Sequence, residues 1–189
     1  MRSRILSSCL ITVALLLLTA CSVNVKKDNS GEDKDVNITT PFGGIHVNNN
    51  ADVRDTGLPV YPGARVKPKN GDHDEKSANV DISSGSFGLK VVAVEYLTDD
   101  APAKVIAYYQ DQLKKYGKVL LCRNSHGTNY SYSGDSNELK CDGDGSSGKT
   151  TELKSGSKGN QRIVAVDPDG KGSDFALVYV RMRGKDDAI

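Results

Sequence analysis

The stretch GDGSSGKT, Gly143 to Thr150, satisfies the phosphate-loop pattern GxxxxGK[ST]. That pattern works where a buried strand runs into a helix, so that backbone N–H groups and the helix N-terminus cradle phosphates. Here the preceding ELKC is short, and the following TELKSGSKG is polar and broken by Gly and Ser. The stretch therefore reads as a polar loop, and no nucleotide is expected. Asp142, Asp144 and Ser146 have the alternate spacing of a calcium loop. An EF-hand would need Gly and Glu where Ser147 and Leu153 stand. Only an improvised calcium site is left open, and no resident metal or cofactor is expected. His46, His73 and His126 share no spacing, and DHDE, Asp72 to Glu75, reads as a solvated charged loop. No GxSxG, HExxH or CxxC occurs. No catalytic residue is assigned, and the chain is expected not to be an enzyme.

The N-terminus carries a different chemistry. Arg2 and Arg4 precede the apolar run ILSSCLITVALLLL, and LTAC, Leu18 to Cys21, closes it. A basic start, an apolar core and small residues make an export signal that is removed. The run is short of the roughly 20 apolar residues of a membrane span. Leu18, Thr19, Ala20 and Cys21 resemble the lipobox of bacterial lipoproteins. The resemblance implies that Cys21 takes a diacylglycerol on its sulfur, becomes the new N-terminus and is acylated there. In Gram-negative members of that family an Asp after the cysteine favours the inner membrane. Ser22 stands here, which implies the outer membrane, facing the periplasm. The plain alternative is an ordinary secretory signal that contains a cysteine. Two or more acyl chains hold a protein to a bilayer where one does not.

Of four cysteines, Cys9 leaves with the signal and Cys21 is lipidated under this reading, leaving Cys122 and Cys141. In an oxidising compartment they are expected to be bridged; a half metal site or a redox pair is the alternative. Without Arg2 and Arg4, 23 basic residues face 24 acidic ones. Such a balance gives no basic face for nucleic acid.

Three parts follow: a lipoprotein signal over 1–20, a lipidated cysteine and flexible tether over 21–34, and one domain over 35–185. SVNVKKDNSGEDK is polar and spans on the order of 20 Å as a coil. DVNITTPFGGIHV, Asp35 to Val47, returns in pattern as NVDISSGSFGLKV, Asn79 to Val91. Alternating apolar residues about a Phe-Gly turn predict a β-hairpin each time. Asn48 to Ala78 reads as loop, with LPVYPGA packing as an extended segment. LKVVAVEYL predicts a strand. TDDAPAKVIAYYQDQLKKYG predicts the one clear helix, about 99–116, capped by Asp99 or Asp100, with Val105, Ile106, Tyr109, Leu113 and Tyr116 as its apolar stripe. Lys118 to Arg123 and ELKC read as strands, and residues 142–160 as a polar excursion. QRIVAVD and DFALVYVRMR form a hairpin, the last strand apolar on both faces and so central. The N-terminal hairpin is expected to cover its second face or to extend the sheet.

The expected fold is thus α+β, a mainly antiparallel sheet with one long helix across it. Over about Leu58 to Arg183 the order of elements is similar to small envelope lipoprotein domains, which implies the same fold and says nothing of activity. Four aromatics are candidate binding residues. Tyr130 and Tyr132 lie among hydroxyls inside the Cys122–Cys141 loop, a composition suited to adaptable contacts. Phe42 and Phe87 sit at matching turn tips: burial in the core is the ordinary fate, and exposure would offer them to a bilayer or a partner groove. The expected function is a lipid-anchored, non-catalytic envelope protein presenting its domain to a protein or the cell wall. The alternative is a carrier holding a small apolar ligand between helix and sheet. A cleft lined by Val105, Tyr109 and Leu113 would favour the carrier; a filled core with exposed aromatics would favour the interaction module.

Overall fold

The structure, a computed structural model, describes residues 21–27, 34–68, 77–123, 138–141 and 150–184. The signal segment, His73, His126, Tyr130, Tyr132 and the phosphate-loop and calcium-loop candidates up to Lys149 lie outside the described residues.

Ten strands and one α-helix are present among these residues: β1 (Ser22–Lys27), β2 (Lys34–Thr40), β3 (Gly43–Asn48), β4 (Arg65–Val66), β5 (Ser77–Ser84), β6 (Phe87–Thr98), α1 (Pro102–Leu113), β7 (Leu120–Arg123), β8 (Thr151–Ser157), β9 (Asn160–Asp169) and β10 (Gly172–Arg183). They build a single sheet in the order β1-β2-β3-β5-β6-β10-β9-β8-β7. Every pairing is antiparallel. β4 also pairs with β6, Arg65 opposite Leu97, in the lane that β5 enters at Ser77 opposite Val94. The α+β expectation holds: a mainly antiparallel sheet with one helix against it.

Helix α1 forms where Val105, Tyr109 and Leu113 recur at four-residue spacing; all three are fully buried. Pro102 occupies the first turn, where a missing N–H costs nothing. The expected caps are corrected. Ala101 is the N-cap and makes no side-chain bond. Asp100 is drawn away, accepting from Tyr61 Oη at 2.9 Å and from Lys104 Nζ at 2.6 Å. The last turn tightens into a 3-10 turn, Lys114–Tyr116, and Gly117 donates to the Lys114 carbonyl at 3.2 Å.

The helix packs on β8, β9 and β10. Beneath it Leu153, Val164, Val166, Phe175 and Leu177 join Val94 and Tyr96 of β6 in one core. Leu58 and Tyr61 of LPVYPGA close that core from the side, so this segment is packed interior as well as extended edge.

The two hairpins extend the sheet and do not cover it. β2–β3 is the first copy and β5–β6 the second, and β3 pairs with β5. The register brings like residues together. Val25, Val36, Val47, Val80, Val91 and Val180 are successive cross-strand partners; so are Val23, Ile38, Ile45, Ile82, Leu89 and Met182. Repetition of one alternating phrase thus gives two aliphatic rows across six strands, because period-two side chains must share a face at each pairing. Gly43 is required where the hairpins meet: its φ of 156° suits glycine, and a Cβ there would collide with the Ser83 carbonyl.

Three expectations fail. Ser22–Lys27 is no tether within the described residues: it is the edge strand β1, because Val23 and Val25 alternate in step with Ile38 and Val36. The 142–160 excursion contains β8. Its sequence TELKSGS is mostly polar, but Leu153 fills the core, and Lys154 and Ser155 are buried beside it. ELKC, in turn, is not a strand; Glu138 to Cys141 follows no regular form.

Candidate functional site

Three regions hold the chemistry of this chain. The first lies under the helix. Tyr61, Tyr109 and Phe175 meet ring to ring, with Tyr109 and Phe175 centroids 5.7 Å apart and Tyr61 and Phe175 6.3 Å apart. Tyr96 stacks on Phe175 at 5.6 Å. Burial pushes the Tyr109 phenol far above its ordinary range, and its hydroxyl donates to the Pro59 carbonyl at 3.0 Å. These rings occupy the space that Val105, Tyr109 and Leu113 would have lined in a carrier. Beyond the helix end the Arg162 guanidinium lies 3.8 Å over the Tyr116 ring and 4.8 Å from that of Tyr179, a stacked clasp between helix end and sheet. Its partners are far apart in sequence, so only a pairing map could have found it.

The second region is the sheet face away from the helix. Its aliphatic rows are half-buried in the middle and open at the rim, where Val23 is 66% and Val25 55% exposed. The same strands present polar residues on the helix side: Asn24, Asn37, His46, Asp81, Lys90 and Arg181 are successive partners. His46 is held by Asn48 Nδ2 at 2.9 Å and by Asp35 at 3.5 Å, a surface pairing. No group of three or more metal-ligating side chains occurs among the described residues. Where β4 meets β6, Lys67 Nζ reaches Glu95 at 3.3 Å and also bonds Asp174.

Asp174, with burial opposing and Glu95 helping, holds the Lys67 ammonium above its usual pKa. A raised pKa in the folded state means stability present below the unfolded value, about 10.4, and lost as pH rises through the folded one. Urea titrations of wild type and Lys67→Met should therefore diverge less at about pH 11 than at about pH 9. A constant difference between them across that window would remove the pairing from the stability of this face.

The third region is the hairpin end. Phe42 is 82% and Phe87 45% exposed, so neither plugs the core and the ordinary expectation for them is corrected. The physical reason is register: Phe42 sits in the β2–β3 turn, and Phe87 opens β6 on the face it shares with Leu89 and Val91, away from the helix. Cys21 is a free, exposed thiol next to the first residue of β1. On the opposite sheet edge Cys122 of β7 is disulfide-bonded to Cys141, closing the segment that holds Tyr130 and Tyr132. Those two tyrosines lie outside the described residues.

Among the described residues, no helix is long and apolar enough to cross a membrane. Comparison with known protein families, with curated proteins and with solved structures found no match for this chain.

Proposed function

We propose that this protein is a lipid-anchored, non-catalytic component of the bacterial envelope, whose domain binds another protein through the open aliphatic face of its sheet. The observation that carries the reading is that face. Two rows across six strands are aliphatic on that side, while the row between them on the opposite side, Asn24 to Arg181, is polar, and the helix packs on that opposite side over β8, β9 and β10. Contiguous apolar surface of this kind marks interaction sites. Aliphatic rows match the apolar side of a protein better than the hydroxyls of cell-wall glycan. The disulfide fits an oxidising compartment. The signal and Cys21 supply the anchor, and Ser22 the outer membrane. The filled space under the helix weighs against a carrier of an apolar ligand there.

The test uses a tagged, lipidated copy in intact cells, crosslinked and read by mass spectrometry. One stoichiometric protein should be captured by wild type and by the polar-face variant Asn37→Lys. It should be lost with Val23→Lys/Ile45→Lys, which places charge on the rows at exposed positions. Equal capture by all three would overturn the face, and lipid extracted from the purified domain would restore the carrier. In the same cells Cys21→Ala should leave the membrane fraction; a variant that still sediments with membranes would end the anchor.

A further inference from the structure

The strand register gathers three unrelated features at one end of the sheet. Ser22 pairs with Thr39, which places Cys21 beside the Thr40 row. Thr40 pairs with Gly43, Gly43 with Ser84, and Ser84 with Phe87. Phe42 stands in the turn between Thr40 and Gly43. The thiol and the two most exposed aromatic rings of the hairpins therefore lie along one edge, on the order of 20 Å from β1 to β6 at about 4.8 Å per strand.

Charge divides the same way. The three rows nearest this edge, from Thr40–Gly43–Ser84–Phe87 to Val23–Ile38–Ile45–Ile82–Leu89–Met182, contain Arg183 and no carboxylate. Lys158 lies in the adjoining β8–β9 turn, whose Gly159 carbonyl accepts from Met182 N–H at 2.8 Å. The far end of the sheet holds Asp99, Asp100, Asp167, Asp169 and Asp174, together with Arg65, Lys67, Lys104 and Lys171. An anionic bilayer would repel carboxylates at the far end and, among the described residues, meets none in the three rows at the near one.

We infer that the hairpin tips dock in the membrane, with Phe42 and Phe87 seated at the headgroup–acyl boundary beside the lipid on Cys21. The inference rests on the lipidation of Cys21. It follows from the absence of slack: one Cα–Cα step, about 3.8 Å, separates Cys21 from β1. Acyl chains on Cys21 cannot enter a bilayer without bringing the Thr40 row to its surface. Aromatic side chains favour that interface, and Arg183 and Lys158 complement anionic headgroups. The sheet then stands on its tips, and its aliphatic face looks sideways along the membrane, open to a partner.

The chain has no tryptophan, so each introduced one is a clean reporter. Phe42→Trp, Phe87→Trp and Lys171→Trp are made separately in the full lipidated protein. Each is reconstituted in vesicles of phosphatidylethanolamine and phosphatidylglycerol, with or without brominated acyl chains. Flotation reads the anchor; emission and bromine quenching read the tips. The two tip reporters should be blue-shifted and quenched severalfold by brominated lipid, while Lys171→Trp, in the β9–β10 turn at the far end, stays water-like. Protein that floats with both tip reporters water-like and unquenched would overturn the docking and leave the anchor standing. Protein that fails to float would overturn both.

Discussion

Tyr109→Ala is expected to destabilise the domain by about 3–5 kcal/mol, the range for deleting a large buried ring. Tyr109 is fully buried at the meeting of helix and sheet, in ring contact with Tyr61, Tyr108 and Phe175. No single element can relax into the space, because Tyr61 comes from the connecting segment and Phe175 from β10. The loss compares with a whole stability of roughly 5–15 kcal/mol, so much of the protein would be unfolded in mild denaturant. Tyr109→Phe separates the ring from its hydroxyl. It keeps the packing and leaves the Pro59 carbonyl without its donor, a cost of about 1 kcal/mol. Urea unfolding checks both: the midpoint should fall in that order with the slope unchanged. Equal midpoints for Tyr109→Ala and wild type would mean the helix is not clamped by these rings.

Reducing the Cys122–Cys141 bond should cost about 3 kcal/mol, because 19 residues of separation close a loop that the unfolded chain otherwise leaves free. The location adds a local effect. β7 has only four residues, pairs only with β8 among the described strands, and is the last strand on its side of the sheet. Cys122 is itself nearly buried, so the bond fastens that edge from inside. A melting curve in reductant should shift down, and the amides of Leu120 to Arg123 should lose exchange protection before those of β6 and β10. Cys122→Ser/Cys141→Ser should match the reduced protein. An unchanged melting temperature after complete reduction would show that β8 holds β7 without help.

With the tips in the bilayer as proposed, the sheet would stand upright and its aliphatic rows would face a neighbour in the same membrane. The arrangement follows from the register of the strands that flank these residues: Cys21 precedes Ser22, Phe42 lies between Thr40 and Gly43, and Phe87 pairs with Ser84.

Local patterns were legible in the sequence wherever the deciding contacts are near in the chain. Val105, Tyr109 and Leu113 marked their helix because residues four apart share a face. The doubled phrase marked two hairpins because alternation and a Phe-Gly turn are local. Cys122 and Cys141 remained as a pair once Cys9 and Cys21 were assigned. Tertiary structure alone decided the rest. TELKSGS is polar by composition and became β8 because Leu153 fills the core and β9 offered its backbone. SVNVKK looked like a tether and became β1, since two valines suffice when Val36 and Ile38 stand opposite. Asp100 left the helix N-cap for Tyr61, a residue 39 positions away. Phe42 and Phe87 stayed outside because pairing carried their turns past the helix. Alternation in the sequence assigns each side chain to a face; which strand lies beside it, and what covers that face, depends on contacts that no local stretch contains.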